Sequence, residues 1–383
     1  MQTFKALRSS VVEAAKQISN NLSSTVPNIP GNEYRFGSIL VQEEKQLSEG
    51  GFAFIWLARD MSTGKPYVLK KIFCQDKERL SLAEREVEIL KSLPPHDNIV
   101  KYFGHIVEGA GAKKEVIILM EFLPCGHLLD LLNQYNGCLS ESIIIQVLID
   151  ITKALTHIHT QSPPVQHRDL KIENVMRAED GRYVVIDLGS CSTSISDTCN
   201  LPREEMLKLE DVIERYTTLM YRPPEMVDLY KGYLINTQVD MWMLGCILFT
   251  LLCNKHPFQD ESKLAIANAR FHIDTNATSR VSERLVDLIY WLLAMNPADR
   301  PNSSTLLNIL NRWSSGDPLP LPAAVLERKA KEQQLYGRRP AVAPAAAAVA
   351  PEAAEANWAV WEEAPAAPQT NWANFSDPPD LLG

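Results

Sequence analysis

Two short stretches decide the fold of this chain: His167-Arg168-Asp169-Leu170-Lys171-Ile172-Glu173-Asn174 and, after a strand-like run, Asp187-Leu188-Gly189. Phosphoryl transfer requires little covalent chemistry from a protein but much positioning and charge neutralisation. In the first stretch a carboxylate can meet the attacking hydroxyl, and a nearby lysine can reach the transferring phosphate. Carboxylate and amide oxygens suit Mg²⁺, whose shell is completed by phosphates and water. The sequence therefore predicts one metal-phosphate site, with Asp169 and Lys171 as catalytic residues and Asn174 and Asp187 as metal ligands.

Length and composition limit the possible functions. The chain has 383 residues, which is enough for one large domain with appendages. Its formal net charge of -9 gives no general basic surface, so nucleic-acid binding is not predicted. The seven cysteines are odd in number and include no C-x-x-C pair. This pattern favours reduced thiols over a disulfide framework or a zinc site.

The apolar segments predict neither a membrane span nor a signal peptide. The longest apolar stretch, Met241–Cys253, is shorter than the ~20 residues that a bilayer requires, so we expect a buried helix there. Residues 2–22 carry apolar side chains three or four positions apart, which predicts an amphipathic helix. We expect this helix to pack on the folded body or a partner, and a weak membrane-surface anchor is the alternative. The expected location is the cytoplasm.

The two opening stretches resemble the catalytic loop and the magnesium loop of eukaryotic protein kinases, H-R-D-L-x-x-x-N followed by D-F-G. The resemblance extends from about Glu33 to Trp313. It implies an α+β, two-lobed protein kinase fold, with a small β-rich N-lobe and a larger helical C-lobe, and it implies ATP and Mg²⁺ as cofactors. We place an N-terminal amphipathic helix and linker at 1–32, the kinase domain at 33–315 and a disordered, Ala/Pro-rich C-terminal tail at 316–383.

Residues 47–55 stand where a kinase carries its glycine-rich loop, G-x-G-x-x-G-x-V. Only the middle glycine remains, as Gly50, because Ser48 and Ala53 occupy the other two positions. Lys70 corresponds to the V-A-I-K lysine that grips the phosphates. Alternation along the strand places Lys71 on the opposite face. The resemblance assigns ATP contacts here to Leu47, Ser48, Glu49, Gly50, Gly51, Phe52, Ala53, Ile55 and Lys70.

The next two elements complete the nucleotide site that the resemblance implies. Glu86 lies on the helical run Leu80–Leu93. We choose it as the partner of Lys70 because it stands where kinases carry the glutamate of helix C. The neighbouring acids, Glu84 and Glu88, are expected to be solvated. The apolar run Glu115–Phe122 predicts a buried strand that leads into a linker. The resemblance makes Met120 the gatekeeper beside the adenine and assigns hydrogen bonds with the adenine edge to the backbone of Glu121, Phe122 and Leu123.

The segment between Asp187 and Pro223-Pro224-Glu225 resembles a kinase activation segment. It begins Ser/Thr-rich and continues as a charged helical run, Arg203–Arg215. Thr218 matches the threonine that contacts the catalytic Asp and Lys in serine/threonine kinases, and we count it among the catalytic residues. The activating event stays open. Arg168 would meet either a phosphorylated hydroxyl or an acid, and we favour activity without phosphorylation; the candidates are Ser192, Thr193, Ser194, Ser196, Thr198, Glu210 and Asp211.

The resemblance implies two further contacts in the lower lobe. Glu225 should pair with Arg300, and Asp240 should anchor the backbone of the catalytic loop. The histidines of this region should be structural residues, because no cluster of cysteines or carboxylates accompanies them; they are His157, His159 and His167.

The last part of the chain repeats a motif. Asn357-Trp358-Ala359-Val360-Trp361 is echoed by Asn371-Trp372-Ala373-Asn374-Phe375, each with acids beyond it, and Asp380-Leu381-Leu382 follows. Aromatic anchors with acidic edges suit shallow pockets rimmed by Lys or Arg. We predict partner-binding motifs here, and the alternative is that the aromatics pack on the chain's own lobes. The residues concerned are Trp358, Trp361, Trp372, Phe375, Asp380, Leu381 and Leu382.

A finer resemblance is to the Numb-associated kinase family, which includes the adaptor-associated and cyclin-G-associated kinases. It rests on Glu49–Ala53, Tyr216-Thr217-Thr218 and Glu225–Tyr230, and it implies an extra helix at Met226–Lys231. It further implies an adaptor medium chain as protein substrate, tail motifs that bind adaptor appendages or clathrin, and peripheral association with clathrin-coated membranes. We therefore expect an ATP-dependent serine/threonine protein kinase that regulates endocytosis. The alternative is a kinase-fold scaffold that binds adaptors through its tail and whose catalysis is dispensable.

Overall fold

The computed structural model describes residues 31–49, 53–110, 113–260, 262–273 and 279–336. The predicted N-terminal helix, Gly50, Gly51 and Phe52 of the glycine-rich loop, and the aromatic repeats with Asp380-Leu381-Leu382 lie outside these ranges. No helix among the described residues is long and apolar enough to cross a bilayer.

The N-lobe is built on a six-stranded antiparallel sheet in the order β1-β2-β3-β4-β6-β5. The sheet curls so that β1 meets β5, and a Cβ on Gly104 would come 3.3 Å from Phe36. Aromatic and aliphatic side chains fill the inner face, among them Tyr34 and Phe36. The strands are β1 Glu33–Phe36, β2 Ile39–Glu49, β3 Ala53–Asp60, β4 Pro66–Cys74, β5 Tyr102–Ala110 and β6 Lys113–Glu121.

Helix α1 (Lys77–Ser92) packs on the other face of this sheet. Asp76 caps its first turn by accepting a hydrogen bond from the Arg79 amide at 2.8 Å. The helix ends before Pro94, which cannot continue a helical hydrogen-bond ladder. Its buried side includes Glu86 together with Val87 and Leu90, so the fold carries one carboxylate towards β4.

The C-lobe surrounds helix α6 (Gln238–Cys253), whose residues from Val239 to Leu252 are buried. This confirms the buried helix expected from the apolar stretch at Met241–Cys253. A Cβ on Gly245 would lie 2.8 Å from Leu292, so glycine allows two helices to approach closely. The other elements are α2 Leu128–Gln134, α3 Glu141–His159, β7 Val175–Arg177, β8 Tyr183–Val185, β9 Ser196–Asp197, α4 Arg203–Tyr216, α5 Pro224–Val227, β10 Leu234–Ile235, α7 Lys263–Ala267, α8 Glu283–Leu292, α9 Ser303–Asn311 and α10 Ala323–Tyr336.

The extra helix expected at Met226–Lys231 is only partly present. α5 ends at Val227, and a separate 3-10 turn covers Leu229–Lys231. Asp228 separates the two, and its side chain accepts a hydrogen bond from the Tyr230 amide at 3.2 Å. This side-chain cap starts a new turn and so interrupts the helix.

The disordered tail predicted from residue 316 is wrong for Ala323–Tyr336, which form helix α10. The guanidinium of Arg328 lies 4.6 Å from the ring centre of Phe271 and donates to the carbonyl of Leu293 at 2.7 Å. Lys329 pairs with Glu283 at 3.0 Å, and Tyr290 donates to Glu332 at 3.0 Å. Charged side chains make most of these contacts, which is why apolar periodicity did not reveal the helix.

Candidate active site

The catalytic loop brings together the three residues predicted to be catalytic. Thr218 donates from its amide and its hydroxyl to Oδ1 of Asp169, at 2.9 Å and 2.7 Å. Lys171 Nζ donates to Oδ2 of Asp169 at 2.8 Å and to the Thr218 hydroxyl at 3.0 Å. Both carboxylate oxygens are therefore held by donors, which fixes the plane of the carboxylate.

Asp240, in the first turn of α6, anchors the backbone of the catalytic loop. Its two oxygens accept from the amides of His167 and Arg168, each at 2.8 Å, and one oxygen also accepts from Nε2 of His159 at 2.8 Å. Burial alone would raise the pKa of Asp240, but the hydrogen bond from His159 helps to hold that pKa below its usual range. Asp240 therefore stays ionised and can accept all three hydrogen bonds.

The loop histidine is a packing residue, as expected. His167 is fully buried, and its Nδ1 accepts from the Asp169 amide at 3.3 Å. Burial lowers the pKa of His167, which keeps the ring neutral at physiological pH. His157 likewise bonds the carbonyl of Pro94 at 2.9 Å.

A charged triad forms where β4, α1 and the loop after β8 meet. Lys70 Nζ donates to Glu86 at 2.6 Å and to Asp187 at 2.8 Å. Burial alone would lower the pKa of Lys70, but Asp187 and Glu86 raise it above its usual value. Burial would likewise raise the pKa of Asp187, but Lys70 holds it well below the usual range. The lysine is therefore a cation and Asp187 an anion over the whole physiological range.

The adjacent lysine points away, as strand alternation predicts. Lys71 donates to the hydroxyl of Tyr34 at 2.9 Å and to Glu43 at 2.8 Å on the inner face of the sheet. Gly189 allows the loop to pass the triad closely, since a Cβ there would lie 3.1 Å from Oε2 of Glu86 and 3.2 Å from Oδ1 of Asp187. The choice of Lys70 and Glu86 over their neighbours therefore agrees with the structure.

The two predicted metal ligands lie on adjoining backbone. The Ile186 amide donates to the carbonyl of Asn174 at 3.0 Å, which places Asp187 one residue beyond that bond. The Asn174 side-chain nitrogen donates to the carbonyl of Asp169 at 2.9 Å, so its amide oxygen points elsewhere. Among the residues that the structure describes, no three His, Cys, Asp or Glu side chains form a metal cluster. One carboxylate and one amide oxygen fit a Mg²⁺ ion that takes its remaining ligands from phosphates and water.

The predicted adenine pocket lies at the end of β6. Met120 is buried and stands opposite Val68 of β4, and Leu123 is also buried. The Glu121 amide donates to the carbonyl of Lys101 at 3.0 Å, so this N–H is not available to adenine. The backbone carbonyl of Glu121 and the backbone of Leu123 remain as candidates for the adenine edge.

The described part of the glycine-rich region lies on the strands that frame the same site. Ser48 and Glu49 pair with Ile55 and Phe54, and Leu47 falls within a shift of strand register. Ile55 stands opposite Lys70 on β4. A cavity of about 410 Å³ joins one end of this region to the catalytic loop; its lining includes Ala53, Lys70, Glu86, Asp169, Lys171, Asp187 and Thr218.

Several residues that hold the activation segment were not found from the sequence. Ser190 donates from its hydroxyl to the carbonyl of Tyr216 at 2.6 Å, and Arg222 donates to the Thr217 hydroxyl at 2.7 Å. Arg215 at the end of α4 reaches Glu78 of α1 at 3.3 Å. Each bond joins residues that no local pattern relates. The predicted pair of Glu225 and Arg300 is present, with two bonds of 2.6 Å and 2.8 Å, fully buried.

Comparison with known proteins gives a consistent result. A family model described as protein kinase domain matches residues 41–310. Two probable serine/threonine-protein kinases of Dictyostelium discoideum are 36% and 38% identical to the chain, over 76% and 78% of it. The serine/threonine-protein kinase ppk30 of Schizosaccharomyces pombe is 34% identical over 82% of the chain. The chain spans only 26%, 38% and 32% of the lengths of these relatives.

Proposed function

Because this chain belongs to the protein kinase family, we propose that it transfers the γ-phosphate of ATP to serine and threonine hydroxyls of proteins. The observation that carries the proposal is the contact set of Asp169, whose carboxylate is oriented by Lys171 and Thr218 within one cavity that also holds Lys70 and Asp187. The relatives named as serine/threonine-protein kinases support the same class of acceptor.

The side chains of this site divide the work of transfer. The carboxylate of Asp169 accepts the hydrogen bond of the incoming hydroxyl, orients its oxygen and takes up its proton. The new P–O bond forms as the bond from the γ-phosphorus to the bridging oxygen breaks, and ADP leaves with that oxygen. Lys171 offsets the negative charge of the transferring group. Thr218 bonds both Lys171 and Asp169 and so fixes the positions of these two side chains. Lys70, whose side chain is oriented by the ion pair with Glu86, binds the α- and β-phosphates of ATP. Asn174 and Asp187 would hold a Mg²⁺ ion, which when bound would neutralise further negative charge on the phosphates.

A finer assignment completes the proposal: the chain is a Numb-associated kinase that phosphorylates a clathrin adaptor medium chain and acts in the cytoplasm at clathrin-coated membranes. Support comes from the helical turns at Pro224–Val227 and Leu229–Lys231, which stand where that family has its extra helix. The aromatic and acidic motifs from Trp358 to Leu382 supply matching adaptor-binding chemistry in the sequence.

The test is phosphate transfer from labelled ATP, in the presence of Mg²⁺, to a purified adaptor medium chain and to a generic Ser/Thr substrate. We expect threonine labelling that falls at least about 100-fold in Asp187→Ala, because a metal ligand and the partner of Lys70 are lost together. Asp260→Ala, which changes an exposed aspartate away from the site, is the matched control. Absence of labelling on every substrate, in a chain that still binds adaptors, would favour the scaffold function instead.

A further inference from the structure

A second cavity lies on the activation segment, away from the nucleotide. It has a volume of about 690 Å³ and is formed between the segment that leads into α4 and the 3-10 turn Leu229–Lys231. We call it the α4 groove and define it by Cys199, Leu201, Arg203, Met206, Tyr230 and Lys231. None of these residues has a role in phosphoryl transfer.

The floor and rim of the α4 groove are apolar. Met206 is buried and Leu201 half-buried, whereas Tyr230 exposes 77% of its surface. Leu234, on the strand that follows, is also exposed to 46%. Clusters of exposed apolar side chains on a folded domain mark interaction sites more often than chance surface composition does. The groove therefore offers an anchor site for an aromatic or aliphatic side chain.

The charges that line the groove are all positive. Arg203 is exposed and forms no ion pair with any residue in the described ranges. The ammonium group of Lys231 bonds the carbonyl of Ala267, and no carboxylate in the described part of the chain lies within salt-bridge distance of it. Glu204 and Glu205 follow Arg203 on α4, but neither lines the groove. In a chain of net charge -9, two unneutralised cations around an apolar floor select acidic ligands.

The shape of the groove is fixed by a close contact across it. The thiol of Cys199 donates to the carbonyl of Gly232 at 3.0 Å, and a Cβ at Gly232 would lie 2.6 Å from that sulfur. Gly232 also has φ +70, a conformation that glycine adopts without strain. The two walls are thus held together before any ligand binds, which reduces the entropy cost of binding.

Helix α4 links the groove to the catalytic residues. It begins with Arg203 in the groove and ends at Tyr216, next to Thr217 and Thr218. Its length of about 20 Å, at 1.5 Å per residue, corresponds to roughly six residues of extended peptide. One substrate chain can therefore occupy the groove and still present a hydroxyl to Asp169.

We infer that the α4 groove is a docking site for the protein substrate, which binds there through an acidic segment carrying an aromatic or aliphatic anchor. The inference rests on the proposed kinase function and adds to it the class of substrate. The segment lies several residues from the phosphorylated hydroxyl, so it lowers KM without taking part in the chemical step.

The test compares three synthetic substrates with the full-length chain. The first is a plain threonine peptide; the second adds a ten-residue Gly/Ser linker and the sequence Glu-Glu-Trp-Glu-Leu, placed at either end; the third carries Lys-Lys-Trp-Lys-Leu instead. We expect the acidic extension to lower KM about tenfold with kcat unchanged, because tethering raises the local concentration of the acceptor. The basic extension should leave KM at the value of the plain peptide.

Variants of the groove sharpen this test. Arg203→Glu should abolish the difference in KM between the acidic and plain peptides, and Tyr230→Ser, at a largely exposed position, should do the same if the first variant folds poorly. Lys208→Glu makes the same charge change on α4 outside the groove and should preserve the difference. Equal KM values for the plain and acidic peptides in the wild-type chain would overturn the inference.

A direct binding measurement separates this inference from the proposed function. In the Asp187→Ala chain, the acidic peptide should slow alkylation of Cys199 but leave the exposed Cys125 and Cys138 unchanged. If the wild-type chain phosphorylated no substrate, protection of Cys199 would retain the groove as a binding site but end its role in docking substrates. Protection without a fall in KM would also overturn that role, since the groove would then bind a ligand that does not assist transfer.

Discussion

At the residue scale, the site depends on hydrogen bonds that hold charged groups in one orientation. Each carboxylate oxygen of Asp169 accepts hydrogen bonds, and two of the four bonds come from Thr218, with one each from Lys171 and Asn174. Thr218 carries no charge and is not a predicted metal ligand, so its substitution tests orientation separately from electrostatics.

Thr218→Ala should lower kcat about 10- to 100-fold, because a hydrogen bond to a charged group contributes about 1.5–3 kcal/mol. Thr218→Ser keeps the hydroxyl and should restore most of the rate. The measurement is steady-state transfer to a threonine peptide, with KM for ATP as a second readout. A serine variant as slow as the alanine variant would show that the hydroxyl is not what matters.

His256 predicts a pH dependence of stability. The residue is buried against Tyr221, its Nδ1 accepts from the Phe258 amide at 3.1 Å, and burial lowers its pKa to about 3. The unfolded chain therefore binds the proton first, and stability is lost as pH falls from about 6.5 towards 3. From pH 7 to pH 5 this residue should remove about 2 kcal/mol of unfolding free energy.

Urea unfolding of the wild type and of His256→Asn at both pH values checks this expectation. Asparagine can still accept a hydrogen bond from the backbone but does not titrate, so its stability should fall less over the same interval. Parallel pH profiles for the two chains would rule out His256 as the source.

At the element scale, the activation segment is ordered by its own contacts. The five candidate hydroxyls differ in access: Thr198 and Ser192 are buried, whereas Thr193 and Ser194 are exposed. The hydroxyl of Thr198 donates to the carbonyl of Tyr233 at 2.9 Å, so this threonine helps to hold the segment in place. Nε and Nη2 of the buried Arg168 have no hydrogen-bond partner among the described residues, so this guanidinium could still receive an acid or a phosphate.

We expect turnover close to wild type after alanine replacement of all five hydroxyl residues between Ser192 and Thr198. The physical reason is that the Lys70–Glu86 pair and the contact between Thr218 and Asp169 are both formed without a phosphate. Phosphate transfer by the variant, with mass spectrometry of the wild type for native phosphorylation, is the measurement. Near-total loss of activity would show that a phosphate on this segment is required.

Helix α10 should be part of the stable domain. Arg328→Ala removes a partly buried guanidinium from Phe271 and from two carbonyl groups, and it should cost about 2–4 kcal/mol of unfolding free energy. Lys331→Ala, at an exposed position of the same helix, is the control and should change stability by less than about 0.5 kcal/mol. Equal stability of the two variants would mean that α10 contributes nothing to the fold.

At the whole-molecule scale, local patterns predicted much of the fold and the site. Strand alternation separated Lys70 from Lys71, and the resemblance to kinase motifs implied the contact of Thr218 with Asp169 and the pair of Glu225 and Arg300. The bonds of Asp240 to His159 and of Ser190 to Tyr216 could not be predicted, because they join residues far apart in sequence whose types fit many other environments. Helix α10 was missed because cations and acids, rather than apolar residues, hold it in place.

Catalysis and partner binding should be separable in the whole chain. Trp358→Ala with Trp372→Ala should abolish recovery of adaptors in a pull-down assay and leave phosphorylation of a short peptide unchanged, since the short peptide needs no tail contact. The matched control is Trp313→Ala, an aromatic residue of the C-lobe. Undiminished recovery of adaptors by the double variant would show that these tryptophans serve another purpose.

Strand β1 has a practical consequence for work with fragments of this protein. It covers Glu33–Phe36, whereas the family match begins at residue 41. A recombinant fragment trimmed to that match would lose the buried rings of Tyr34 and Phe36, leave Lys71 without its phenol partner and expose an edge of β2. An unpaired strand edge beside an exposed core can form hydrogen bonds with a strand of another molecule, which promotes aggregation. We expect such a fragment to be poorly soluble, and a low yield of it would be no evidence for an inactive enzyme.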